Sequence, residues 1–165
     1  MNSLNITYQW RPAVLLETGE EYVFPLMGTC YFNQKYAVPG VCRWRVEKRQ
    51  PGEKEAIYIG EAQDLAKRVK RVEKPSRTAK DSNTNKRLNQ VLKKYFAEDR
   101  TVVFDVADVD PFEINGVKFG GDTFGDCFKR RAVEGILLAL AEKSGEFEVL
   151  NTVVDLAEKA KSAAP

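Results

Sequence analysis

GVCRWRVEKRQPGEKEAIYIGEAQDLAKRVKRV, residues 40–72, passes from a two-residue to a helical hydrophobic period. Gly40 to Glu47 alternates apolar and polar side chains, the signature of a strand. Pro51-Gly52 is a turn pair, and Ala56 to Ile59 is a second short β-type run that stops at Gly60. Together they predict an antiparallel hairpin. From Ala62 to Glu73 the apolar residues Leu65, Val69 and Val72 recur at i, i+4 and i+7, one stripe of a helix. Lys67, Lys70, Arg71 and Lys74 fall off that stripe and are expected to face solvent.

Downstream, Pro75 to Thr84 is polar and basic, a loop or a connection ordered by a partner. Asn83 or Asn85 can cap a helix in which Leu88, Val91, Leu92 and Tyr95 recur at helical spacing. Thr101 to Val109 reads as a strand with Val102, Phe104 and Val106 on one face. Pro111 to Gly121 is a loop with a small hairpin turn at Asn115-Gly116. Asp122 or Thr123 can cap a long helix through Lys143, closed by Gly145, with Val133, Ile136, Leu137 and Leu140 as its core face. Phe147 to Leu150 is an apolar run leading into a last helix from about Thr152. Upstream, residues 1–39 alternate apolar patches with turn signals and read as an irregular or strand-containing extension packed on the main domain. The order β-β-α-α-β-α-α predicts a small antiparallel sheet with helices around it, an α/β (α+β) domain over 40–151 followed by a C-terminal helix, 152–165.

The chain has 165 residues, 43% apolar and 30% charged, which suits one globular domain. No run of 18 or more apolar residues marks a membrane span, and the first ten residues lack a signal-peptide pattern. Histidine is absent, which removes Ser-His-Asp and Cys-His catalysis and every histidine-held metal. The three cysteines, Cys30, Cys42 and Cys127, form no C-x-x-C pair, so a zinc ribbon or redox dithiol is excluded and a reducing cytoplasm is the expected setting. A metal would be held mainly by oxygen, favouring magnesium or manganese over zinc. Arg43 to Lys94 carries 16 Lys/Arg against 7 Asp/Glu within a chain of net charge +2. Such a basic middle suits a surface that meets a polyanion on one side; the plainer reading is a set of solvated helix faces.

Gly40-Val41-Cys42, then Tyr58-Ile59-Gly60, then Arg68 ten residues after Tyr58 resemble the GIY-YIG nuclease family. Glu134, within RRAVEGILLAL, and Asn151, within VLNT, fit the family's later glutamate and asparagine. The resemblance covers about Gly40 to Asn151. It implies a three-stranded antiparallel sheet with flanking helices, hydrolysis of DNA phosphodiester bonds, and a magnesium or manganese ion held by Glu134. Family members act as repair incision nucleases, homing endonucleases and restriction enzymes. Monomer and homodimer both stay open.

The residue types fit that chemistry on their own terms. Hydrolysis of a phosphodiester needs an activated water, a stabilised anionic phosphorus and a neutralised leaving oxygen. Arg68 offers a bidentate fork to phosphate, Tyr58 a phenol, and Glu134 a carboxylate beside the core. The plainer readings are a surface cation, a half-buried strand aromatic and a boundary salt bridge, and for Asn151 an N-cap of the final helix. Lys67, Lys70, Arg71, Lys74, Arg77, Lys80, Lys86 and Arg87 are expected to follow a nucleic-acid backbone. Trp44 reads as core or hairpin packing.

Two positions depart from the family. Cys42 stands where the first motif has tyrosine, and Val72 stands where many members have a histidine four residues after the arginine. A thiol is shorter than a phenol, but its reference pKa of about 8.5 leaves a base role chemically open. Another residue, with Tyr31 or Tyr36 nearby in sequence, can supply the function; a metal-bound hydroxide can dispense with it; or the site does not cut.

Overall fold

A computed structural model describes residues 5–16, 29–75 and 82–151. The quoted stretch forms strand β2, Gly40–Val46, strand β3, Glu55–Ala62, and helix α2, Leu65–Glu73. Before them come strand β1, Tyr8–Leu16, and helix α1, Thr29–Tyr36. After them come helix α3, Ser82–Ala97; strands β4, Val102–Val109, β5, Phe112–Ile114, and β6, Val117–Phe119; helix α4, Cys127–Ser144; and strand β7, Phe147–Val149. Among the described residues the fold is mixed α/β: four helices, a five-stranded mixed sheet in the order β1-β4-β2-β3-β7, and a separate β5-β6 hairpin.

The expected count of three strands is short by two. β4, β2 and β3 pair antiparallel, as the hairpin reading requires. β1 adds antiparallel to the outer edge of β4, with a register shift between Pro12 and Val14. An edge strand tolerates proline because one side of its ladder is unpaired. β7 adds parallel to β3, so the apolar run Phe147–Leu150 is mainly strand; the helix expected from about Thr152 lies outside the described residues. β1 falls in the extension read as irregular or strand-containing, where Pro12 blurs the period, and β7 was not legible because a three-residue strand has no measurable period.

The strand alternation divides the interior into two layers. Cys42, Trp44, Val46, Tyr58 and Phe104 face helices α1, α2 and α3, where Phe32, Leu65, Val69, Val72, Leu88 and Leu92 complete one core. Val41, Ile57, Ile59 and Ala107 face α4, which contributes Val133, Leu137 and Ala141. Leu140 is 39% exposed and Ile136 is half-buried, so Ala141 replaces Leu140 in the expected core face of α4. Asp126 caps α4 by accepting from the amides of Phe128 and Lys129; the expected caps, Asp122 and Thr123, lie in a preceding 3-10 turn, Gly121–Gly125. Gly145 closes α4 with φ +66°, a left-handed conformation that costs glycine least. Asn115 and Gly116 both have positive φ, as a two-residue hairpin turn demands.

The α4 side of the sheet also carries charge. Asp105 on β4, 1% exposed, accepts from Arg43 Nε at 2.6 Å and Arg45 Nε at 3.1 Å. Arg43 is further flanked by the rings of Trp10 and Phe147, one from each edge strand. This pairing staples β2 to β4 where α4 leaves the sheet uncovered. Asp105→Ala leaves Arg43 without its buried counter-charge and is expected to destabilise the fold by about 3 kcal/mol, read from urea unfolding midpoints.

Candidate functional site

Side chains from three elements meet at Gly60, near the end of β3. A Cβ on this glycine would lie 3.2 Å from Tyr58 Cε1, 3.6 Å from Arg68 Nη2 and 4.0 Å from Glu134 Oε1. The three atoms therefore stand within about 8 Å of one another, close enough to address one reacting group. Tyr58 belongs to β3, Arg68 to α2 on one side of the sheet, and Glu134 to α4 on the other. The site exists only where both helical layers reach the same end of the sheet. The absent side chain of Gly60 leaves the space into which they converge.

A cleft of about 500 Å³ adjoins this point; Arg68 and Glu134 line it, whereas Tyr58 and Gly60 do not. Lys67, Arg68, Arg71, Arg130 and Arg131 line it, against the carboxylates Glu61, Asp64 and Glu134. Lys67 pairs with Asp64 at 3.2 Å. Arg130, buried at 3% exposure, donates from Nε to Glu61 at 2.7 Å and from Nη1 to the carbonyls of Phe124 and Gly125. Arg131 stands 3.7 Å from Glu61 with 64% of its side chain exposed, a pair weakened by solvent.

Arg68 is held differently. Its Nη1 donates to Asn85 Oδ1 at 2.5 Å, and its Cζ lies 5.7 Å from the centre of the Trp44 ring. Neither partner neutralises the guanidinium. Its Nε is buried with no hydrogen-bond partner. A cation fixed by a neutral amide and an aromatic face keeps its charge for an incoming anion.

Asn151 takes a place in the sheet rather than in the cleft. Its Oδ1 accepts from Ile59 N at 2.9 Å and its Nδ2 donates to Ile59 O at 2.7 Å. These bonds continue the β3–β7 ladder one step past Leu150 N, which donates to Ile57 O. The amide thus orients β3 between Tyr58 and Gly60. Any capping of a following helix, like the C-terminal helix itself, lies outside the described residues.

Cys42 is fully buried beneath Gly60 and donates from Sγ to its carbonyl at 3.4 Å. Burial pushes the thiol from 9.0 up to about 12; nearby Arg68 lowers it, and Glu134 and Glu61 raise it. A thiol in that condition supplies no thiolate near neutral pH, so the base role that sequence left open for Cys42 is removed by desolvation. Val72 is equally buried and serves the core. Trp44, 0% exposed, is core.

Of the cations expected to follow a nucleic-acid backbone, Lys67 and Arg71 line the cleft. Lys70 and Lys74 are exposed on the same helix or its cap, outside the lining. Lys86 and Arg87 are half-buried on α3. Arg77 and Lys80 lie outside the described residues. Sequence reasoning missed Asn85, Arg130 and Glu61. Asn85 is 4% exposed and serves Arg68 instead of capping α3. Its signal was present: Asn85 and Asn89 are four residues apart beside the Leu88-Leu92 stripe. Asn89 donates to the carbonyls of Val72 and Glu73 at the end of α2, so the two amides lock α3 to α2. Glu61 and Arg130 are 69 residues apart, and no local pattern links them.

Among the described residues no three His, Cys, Asp or Glu side chains gather to hold a metal. A closed site for a transition metal does not fit. One carboxylate, Glu134, beside a polar cleft does fit a magnesium- or manganese-like ion that keeps most of its waters.

Two expectations follow from this geometry. The unfolded Cys42 thiol ionises above pH 9.0, whereas the folded one does not until about pH 12. Its contribution is therefore complete below pH 9.0 and lost as pH rises through that window. Cys42→Ala should lessen the stability lost between about pH 8 and about pH 10.5 by about 1–2 kcal/mol in parallel urea titrations. Asn85→Ala deprives a partly buried guanidinium of its acceptor and should lower stability by about 1–3 kcal/mol in the same assay at pH 7.

No family model, curated protein or solved structure matches the chain.

Proposed function

We propose that the chain is a divalent-metal-dependent endonuclease that hydrolyses DNA phosphodiester bonds at the Gly60 cleft, in a GIY-YIG-like arrangement. The observation that carries this reading is the convergence of Tyr58, Arg68 and Glu134 on Gly60 beside a basic cleft. The antiparallel β4-β2-β3 unit, with α2 following β3 and α4 bringing Glu134, supports the same arrangement.

Each residue has a role that its surroundings permit. Arg68, held in place by Asn85 and Trp44, presents Nη2 to a phosphate oxygen. Tyr58, 4% exposed, orients the reacting group from beneath rather than offering a broad contact. Glu134 would hold the magnesium or manganese ion, which supplies charge neutralisation at the phosphate when bound. Lys67, Arg71 and Arg131 draw the flanking phosphates into the cleft. Asn151 fixes the strand that presents Tyr58.

Cys42 favours one second reading, a DNA-binding module that does not cut. The position expected to carry the first motif's tyrosine holds a buried thiol that supplies no base. Plasmid nicking in magnesium or manganese separates the two. Glu134→Gln should reduce nicking at least about 100-fold while leaving DNA binding in EDTA within about twofold of the unaltered chain. Equal nicking by the variant would remove Glu134 from the mechanism. Salt-sensitive binding with no nicking under either metal would establish the module instead.

A further inference from the structure

Helix α4, which lines the cleft through Arg130, Arg131 and Glu134, also carries an exposed aromatic ring. Phe128, the second residue of α4, is 80% exposed, the highest value among the large exposed apolar residues described. Helix geometry places Arg131 one turn further on, on the face next to the ring, and Lys129 about 100° round the axis, away from it. Arg131 lines the cleft. Glu134 lies about 9 Å further along the axis than Phe128 and about 120° round it.

The backbone beneath the ring is well anchored. Asp126 Oδ1 accepts from the amides of Phe128 and Lys129, and the buried Arg130 binds the carbonyls of Phe124 and Gly125 together with Glu61. Phe128 forgoes most of the stabilisation that burying a phenylalanine brings. An apolar ring beside a cation that lines the cleft suits a nucleobase next to its phosphate better than an apolar protein surface, which would strand the charge.

We infer that Phe128 is a stacking platform for an unpaired nucleobase at the mouth of the cleft, so that the substrate carries a single-stranded or splayed nucleotide beside the addressed phosphate. This rests on the nucleic-acid reading above. A base inside a duplex has both faces covered by its neighbours, and only one out of the stack offers a face to the ring. Arg131 then meets a phosphate next to that base.

Fluorescence anisotropy in EDTA tests the assignment with two labelled ligands, a single-stranded oligonucleotide and the duplex of the same sequence. Phe128→Ala should weaken single-strand binding about tenfold and duplex binding less than about twofold, and Phe128→Trp should restore the loss. The unaltered chain should also quench 2-aminopurine in the single strand, and Phe128→Ala should not. Equal losses for both ligands, or no loss for either, would overturn the role of Phe128 while leaving the nucleic-acid reading standing. A chain that binds neither ligand at low salt would overturn both. A dimer that Phe128→Ala converts to monomer, with DNA binding unchanged, would assign the ring to a second copy of the chain and overturn the inference.

Discussion

The indole of Trp44 links the core to the cleft. It is 0% exposed on the central strand β2, with its ring 4.9 Å from Phe104 and 5.9 Å from Tyr58 in edge-on contacts. The same ring lies beneath the Arg68 guanidinium. One side chain therefore fixes β4 and β3 relative to β2 and also supports the cation on α2. Geometry that holds a core together is inherited by the site at no separate cost in ordering.

The position of the cleft follows from how the layers end. The helices α1, α2 and α3 cover one face of the sheet and α4 the other, so only near the end of β3 can side chains from both layers meet. Asn151 secures that end by supplying from its side-chain amide both bonds that a continued strand would make to Ile59. Gly60 then leaves the space between Tyr58, Arg68 and Glu134 unfilled. Backbone clamp and missing side chain act on adjacent residues, which is why the geometry is local although its parts come from distant elements.

The basic character of the middle of the chain is partitioned by folding. Arg43 and Arg45 turn to the α4 side and are held by Asp105, and Arg130 is held by Glu61. Lys67, Arg71 and Arg131 stay exposed around the cleft, while Arg68 is fixed by neutral partners. A count of charges cannot make this distinction. A buried arginine beside a carboxylate serves structure, whereas one fixed by an amide and a ring keeps its field for a ligand.

By itself the sequence determined what repeats locally. The β2–β3 hairpin, the α2 stripe of Leu65, Val69 and Val72, the Asn115-Gly116 turn and the Gly145 stop all rest on contacts within a few residues, and periodicity reports such contacts. Tyr58, Arg68 and Glu134 were nameable from spacing and resemblance. Only the tertiary structure decided the rest. It set the two extra edge strands, the exposure of Leu140, the burial of Cys42 to a pKa of about 12, the Asn85 bond to Arg68, and the meeting of three elements at Gly60. Each depends on which distant segment lies alongside. Desolvation and pairing are properties of that neighbourhood rather than of the residue's place in the chain.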